Sequence, residues 1–520
     1  MSFFQTTFFA SFIFIGLFLF AGVWKHDTTK PIPIEPEQPE IRLNGHKPNI
    51  ILLMAEDIST DLECYGMKAV KTPHLNRLAR GGIQYLRAYC TNPICSPSRS
   101  AMMVGVHQQK INAEHHRGNR DLPLPDPYKP MTYWLRKAGY TTILGHSKVM
   151  GKGRKIDCNF KFNNIGEWDG KENFGLFDRY DIISPEDQPF FAQIQLQVSH
   201  RGDWWEEVRE KSAHPVDPHE IKLPTYIADH PVIRKDWATY LDQIEFLDDE
   251  VGMLIRELKD KELYENTVII FVGDNGRCNI RGKGYLAEPG IHIPMIISWP
   301  EEIREGKVNR ELVSTLDIPA TILDIAGVSI PDYMDGSSLL SDSFHREFVY
   351  SSRDRWDDFL DKSRSIVTRK YKYIRNDMPE IPYDGHHPYL EFHRPALHVM
   401  RNLKIDDELS PEERLFFNQT KPREELYDLI NDPEELVNLA RNPEYSQVLD
   451  QLRNTLKQAE KSNIPDEQIY HPTPSKSGNI LKFVQYKHPN AYLRMLQGEH
   501  IGYQSYVKLY QKQHREAGVK

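Results

Sequence analysis

The chain has 520 residues, 39% hydrophobic and 27% charged, the composition of an ordinary globular protein of one large or several smaller domains. Its formal net charge of −9 leaves no basic excess to neutralise phosphates, which argues against nucleic acid as a partner. A local basic cleft for an anionic substrate is compatible with that total.

From Phe8 to Trp24 the chain is almost wholly apolar, with no charge until Lys25. At a terminus this reads as a signal peptide or N-terminal anchor over 1–25, followed by a Pro-rich linker over 26–46. The expected location is therefore extracytoplasmic: periplasmic, secreted or membrane-anchored. Asn49 to Met54 (NIILLM) has the continuous apolar character of a strand buried on both faces. It leads into Glu56-Asp57, two acids at the carboxyl end of a strand, where open α/β sheets hold ligands. A helix follows, with Thr72 as N-cap, Pro73 in its first turn and Gly81 closing it.

Met131 to Ala138 predicts a second helix, and Tyr140 to Leu144 a short strand. Phe190 to Val198 predicts a strand ending at His200. Leu241, Ile244, Leu247, Val251, Leu254 and Leu258 recur at helical spacing. Strand Val268 to Val272 ends at Gly273-Asp274-Asn275, and Ile293 to Ser298 is one more apolar strand. This alternation predicts an α/β fold over 47–341, a large mostly parallel sheet sandwiched by helices. Beyond Asp342, Ser365 to Arg375 reads as an antiparallel hairpin, with helices expected at Pro433 to Leu439 and Ser446 to Ala459. A smaller C-terminal α+β domain is expected over 342–462, then an aromatic- and Lys-rich tail, 463–520, packing on the core.

Five cysteines (Cys64, Cys90, Cys95, Cys158 and Cys278) form neither a paired framework nor a zinc spacing. Cys95 opens the segment Cys-Ser-Pro-Ser-Arg, and Pro97 suits the first turn of a helix. Cys95 would then sit just before a helix N-terminus, where anions are favoured. Arg99 stands four residues after it, too close for a Cys-based phosphatase. Glu56, Asp57, Asp274 and Asn275 supply oxygen donors at two strand ends, a set suited to a hard cation.

The segment Cys95 to Arg99, continuing to Gly105, resembles the sulfatase signature C-x-P-S-R. Its neighbours resemble further sulfatase motifs in order: Asn49 to Gly66 (NIILLMAEDISTDLECYG), Thr72 to Leu75 (TPHL), Lys283 to Pro294 (KGYLAEPGIHIP) and Glu424 to Leu439 (EELYDLINDPEELVNL). The resemblance covers roughly Lys47 to Leu439 and implies an alkaline-phosphatase-like fold. It implies that Cys95 is oxidised to 3-oxoalanine (formylglycine) by a maturation enzyme. The hydrate of that aldehyde offers one hydroxyl to attack sulfur and a second whose collapse expels sulfate. Arg99 is implied to hold the hydrate and lower its pKa. A Ca²⁺ or Mg²⁺ ion held by Glu56, Asp57, Asp274 and Asn275 is implied to polarise the sulfate. Glu56 stands where the family usually has Asp.

Lys283 and His200 are implied to reach the sulfate and the leaving oxygen, with His200 protonating the departing alkoxide. The second family signature begins at Gly139-Tyr140-Thr141-Thr142 and then breaks. Lys155-Ile156-Asp157-Cys158-Asn159-Phe160 resembles a K-x-D-Y-N-F ending found in some sulfatases. It makes Lys155 the candidate sulfate-binding residue, with Asp157 in the usual His position and Lys148 and His146 as rivals. His115, His116 and Arg117, with Arg201, Trp204, Trp205 and Arg353, are candidates to flank a sulfated saccharide; ion-pair and packing roles compete for each. Neither the glycan nor the choice between O- and N-sulfate follows from these motifs. Two alternatives remain at this stage: a phosphoesterase of the same fold, against which Cys95 argues, and a catalytically silent glycan-binding protein.

Overall fold

A computed structural model describes residues 47–146, 155–163, 165, 175–181, 183–474 and 476–516. The expected signal and linker, and Lys148, lie outside them. Among the described residues no helix is long and apolar enough to cross a membrane.

The chain opens with β1 (Asn49–Ala55), every residue of which is buried. Helix α1 (Pro73–Arg80), β2 (Gly82–Tyr89), α2 (Cys95–Val104), α3 (Met131–Lys137), β3 (Thr141–His146), β4 (Phe190–Leu196), β5 (Thr267–Gly273), β6 (His292–Ser298), β7 (Lys307–Asn309) and β8 (Val313–Ser314) follow. The strands form one sheet in the order β3-β4-β1-β5-β6-β2-β7, with β8 also paired to β2. Strand β1 runs parallel to both β4 and β5, and Ala55 is registered with Leu196 and with Gly273. The carboxyl ends of three strands therefore open at one place. Strand β6 is antiparallel to β5 and β2, so the sheet is mixed but mostly parallel.

Alternation along β1 shows the sandwich. Ile51 and Leu53 pack with α1 and with the long helix Pro231–Asp260, whereas Ile50 and Leu52 pack with α2, α3 and helix Asp317–Ile325. Each such buried side chain contributes roughly 1.5–3 kcal/mol. Helix α1 is capped differently from its expectation. The Thr72 hydroxyl accepts the Glu63 N–H at 3.2 Å, while Asp248 of the long helix accepts the N–H groups of His74 and Leu75 at 3.0 and 2.7 Å. A buried carboxylate on a neighbouring helix outcompetes the local hydroxyl.

A second sheet has the order β12-β11-β10-β9 and is antiparallel throughout: β9 (Val349–Trp356), β10 (Phe359–Val367), β11 (Tyr371–Asn376) and β12 (Glu424–Asp428). Helix Ser446–Asn463 lays Leu449, Leu452 and Leu456 on it. The helix expected at Pro433 to Leu439 is absent. Asp432 takes the N–H groups of Leu436 and Val437 at 3.0 and 2.8 Å, and Glu435 adopts φ +56°. That conformation turns the Glu435 carboxylate onto buried Lys372, 2.8 Å away. Within the tail, helices Lys476–Lys487, Pro489–Leu496 and Tyr503–Glu516 form, the first two contributing Ile480, Phe483, Val484 and Met495 to a small core with Phe392.

Candidate active site

Helix α2 begins at Cys95 itself, one position earlier than expected, after an extended Ile94, and closes at Gly105 with φ +80°. Cys95 is buried and its Sγ lies 3.7 Å from Asp57 Oδ1. Asp57, in the turn after β1 with φ +49°, is the hub. Lys283 Nζ donates to its two oxygens at 2.7 and 2.8 Å, Asn275 Nδ2 donates to Oδ1 at 3.0 Å, and His200 Nε2 stands 4.0 Å from Oδ2. Burial would push the Asp57 carboxyl up, but Lys283 and then His200 outweigh it and hold it well below the usual range.

A second knot surrounds Arg99. Its Nε donates to Asp274 Oδ2 at 2.9 Å and its Nη1 to Gln195 Oε1 at 2.7 Å. Its Nη2 lies 2.8 Å from Asp274 and 3.8 Å from Glu56. Lys155 Nζ donates to Glu56 Oε2 at 2.5 Å and stands 3.4 Å from Asp157 Oδ2. The Lys155 carbonyl accepts from Arg99 at 3.4 Å and from Gln193 at 3.2 Å, so two side chains aim this lysine inward. Burial pushes the Glu56 carboxyl up despite Lys155 and Arg99.

The oxygen quartet fits a hard cation. Glu56 Oε1 and Asn275 Oδ1 are buried with no hydrogen-bond partner among the described residues, and orphaned buried acceptors of this kind are costly unless something binds them. A different trio, Asp57, Cys95 and His200, also brings ligand atoms within 4.8 Å of one another. It mixes sulfur, nitrogen and oxygen and leaves both orphaned acceptors unused, so it describes the reaction centre better than a cation cage.

Burial, offset only in part by Lys283, pushes the Cys95 thiol far up. At neutral pH it is a protonated thiol, a poor nucleophile as it stands. Burial and then Lys283 depress the His200 imidazole well below its ordinary value. This favours the neutral imidazole, and an acid role requires a neighbouring anion such as the substrate's sulfate to restore its proton affinity. Tyr389, whose hydroxyl lies 3.5 Å from His200 Nε2, is a neighbour that the motifs did not point to.

Asp157 has φ +52° and is surrounded by cations. Arg120 pairs with it, Arg117 Nε lies at 3.4 Å and Lys155 completes the set. These hold its carboxyl far down against the upward push of burial. His116 Nδ1 lies 2.8 Å from Asp357, at the tip of the β9–β10 hairpin. His115 is turned away. Its ring packs edge-on to Tyr470 at 4.5 Å and its Nε2 faces Glu114 at 3.6 Å. Arg353 is also elsewhere, paired with buried Asp361 at 3.0 Å and beside a separate cavity of about 100 Å³ lined in part by Tyr383 and Lys421. Arg353 is drawn off by a buried carboxylate, and His115 by its packing on Tyr470. Of the other flanking candidates, Arg201 is tied to Asp236 by two bonds at 2.6 and 2.7 Å and stacks over Trp205. The side chain of His146 lies outside the description.

A mixed, mostly parallel sheet with acids, a buried cysteine and lysines at its carboxyl ends is the arrangement expected from the resemblance to the alkaline-phosphatase-like superfamily. The Sulfatase family model matches residues 48–328, and the chain belongs to the sulfatase family, the sulfuric ester hydrolases of that superfamily. It is 29% identical over 494 residues to an ulvan-active sulfatase of Formosa agariphila, covering 83% of this chain and 80% of that one. It is 25% identical over 454 residues to N-sulphoglucosamine sulphohydrolase of Homo sapiens, covering 78% and 89%. The solved structure of BT4656 in complex with its substrate D-glucosamine-2-N,6-O-disulfate matches 81% of this chain and 99% of that chain. Its TM-score is 0.55 at 17% identity, a likeness of fold.

Proposed function

We propose that this enzyme removes sulfate groups from a sulfated saccharide, with Cys95 matured to formylglycine and a Ca²⁺ ion, or Mg²⁺ in its place, at Glu56, Asp57, Asp274 and Asn275. The observation that carries the reading is the buried Cys95, 3.7 Å from Asp57, whose thiol is too weakly acidic to act unmodified. The activities for which its relatives are named, on ulvan and on sulphoglucosamine, support the substrate class. The apolar run from Phe8 to Trp24 supports an extracytoplasmic location.

The matured residue supplies a hydroxyl nucleophile together with a built-in route for releasing sulfate, and the cation supplies positive charge to the sulfate oxygens. The chain's own residues do the rest. Lys283 and Lys155 reach the neighbouring acids Asp57 and Glu56 beside Cys95, where their ammonium groups stabilise charge developing on a sulfate. Arg99 holds Asp274 and stands beside Glu56, fixing the oxygen quartet before substrate arrives. His200, oriented by its Nδ1 contact with the Arg201 carbonyl at 3.1 Å, is the group placed to give a proton to the leaving oxygen.

Two measurements test the reading. Active protein, co-expressed with a maturation enzyme, should yield a Cys95 peptide with the mass expected for SH₂ replaced by O. A screen against defined O- and N-sulfated saccharides should find at least one that releases sulfate. An active enzyme with an unmodified Cys95 thiol overturns the nucleophile; a matured protein inert on every sulfated saccharide but active on phosphate esters overturns the substrate class.

A further inference from the structure

We infer that Arg117 is a specificity residue, reading a second anionic substituent on the substrate, a carboxylate or a further sulfate close to the one that is cleaved. This rests on the reading of the enzyme as a saccharide sulfatase.

The turn carrying Arg117 is pinned beside the reaction centre. Arg117 and Asn119 both have left-handed backbones, φ +54° and +55°, a conformation that non-glycine residues hold only when their surroundings enforce it. The Arg117 N–H donates to Ser96 Oγ at 3.0 Å, next to Cys95 in the chain. On the other side its carbonyl accepts from the Thr473 hydroxyl. Asn119 is bonded both ways to His471, at 3.1 and 2.6 Å.

The side chain that this backbone presents has spare capacity. Its Nε faces Asp157 at 3.4 Å, but Asp157 already has Arg120 and Lys155. The two terminal nitrogens of Arg117 make no hydrogen bond among the described residues. The side chain keeps 44% of its surface open, against 34% for Arg120 and 5% for Asp157, so the Arg117 guanidinium edge is the most open part of the cluster. A planar fork of N–H donors is the group best matched to a carboxylate or sulfate.

Charge points the same way. Glu56, Asp57, Asp274, Asp157 and Asp357 face Arg99, Lys155, Lys283, Arg117 and Arg120, which balance one for one. Burial keeps His116, next to Asp357, below its ordinary value, so it adds no full charge at neutral pH. A divalent cation adds two positive charges and a sulfate monoester removes one. One positive charge is left for a further anion; of the two arginines on Asp157 that keep unused donors, Arg117 is the more open and the one whose backbone is bonded next to Cys95.

Binding to the non-reactive Cys95→Ala protein, loaded with Ca²⁺, should be measured by calorimetry. The probes are a neutral monosulfated hexose, the same hexose with a second sulfate, and a disaccharide joining the monosulfated hexose to a uronic acid. Arg117→Gln in that background should weaken one or both doubly anionic probes by about 10- to 100-fold, the scale of one charge-assisted bond. It should leave the neutral probe within about threefold, and Arg117→Lys should recover part of the loss. Whichever doubly anionic probe loses affinity identifies the substituent as sulfate or carboxylate. Equal weakening of all three probes, or no preference of the parent protein for the doubly anionic ones, overturns the inference while leaving the sulfatase reading intact. Binding of none of the three overturns the saccharide reading, and the inference with it.

Discussion

Arg99 sends both Nε and Nη2 to a single oxygen of Asp274, at 2.9 and 2.8 Å, so the helix carrying Cys95 is locked to the strand carrying half of the oxygen quartet. One buried ion pair thus links the helix of Cys95 to the turn of Asp274 and Asn275.

Arg99→Ala leaves Asp274 and Glu56 buried without that cation. Breaking a buried pair by removing one partner costs about 3–5 kcal/mol, and chemical unfolding of the metal-free variant should show a loss of that size. Millimolar Ca²⁺ should recover part of it, because the ion binds only the folded state and neutralises the stranded acids. A variant as stable as its parent in both conditions rules out this account of the pair.

Ca²⁺ should raise the thermal midpoint of the parent protein in a concentration-dependent way, and exhaustive chelation should remove activity. Asp274→Asn and Glu56→Gln should each flatten the stabilisation curve. Elemental analysis that finds no divalent metal in fully active protein would refute the cation site.

Lys155→Ala should lower kcat/KM by about 10²–10³, the scale of losing one donor to developing charge in a closed site. Lys148→Ala, the rival from the sequence, should stay within about tenfold. Steady-state kinetics on one sulfated substrate decides between them. The reverse ranking would reassign the sulfate-binding lysine and leave the rest of the site standing.

Glu114 is fully buried, neither of its carboxylate oxygens has a side-chain hydrogen-bond partner among the described residues, and burial pushes its pKa up to about 8 from 4.5. A raised acid pKa means that the unfolded chain releases its proton first. The folded state is then relatively disfavoured as pH climbs from about 4.5 to about 8, with a slope of at most about 1.4 kcal/mol per pH unit. Glu114→Gln should remove that slope, so its stability advantage over the parent should grow between pH 5 and 8, measured by urea unfolding. Parallel pH curves for the two proteins would show that Glu114 carries its charge in the folded state.

Much of the fold was legible because its central strands are buried on both faces: NIILLM and TVIIFVG admit little but a parallel core. The cluster at the strand ends was legible because Glu56-Asp57 and Asp274-Asn275 follow those strands directly. What escaped reading was long-range pairing. Arg117 and Arg120 meet Asp157 from 40 and 37 residues away, and no local pattern announces it. Gln195, the partner of Arg99, did leave a trace, since two glutamines inside an apolar strand (FFAQIQL) need buried partners. Asn159 left another. Its side chain donates to the carbonyls of Ala113 and His115, each at 2.8 Å, and holds the Lys155 segment to the His115–Asn119 turn. The missed turn at Pro433 to Leu439 has a periodic sequence whose helix is undone by Asp432 and by the demand of Lys372 for Glu435.

The stitching of Ile469 to Thr473 onto the turn of Asn112 to Asn119 joins chain regions about 350 residues apart. During synthesis the sheet, Cys95 and the oxygen quartet are all complete long before this clasp emerges. A chain translated only to Asn463 would therefore contain every residue of the reaction centre but not the segment that secures the Arg117 turn. If Arg117 reads the substrate as inferred, discrimination between substrates is secured later in synthesis than the chemistry itself.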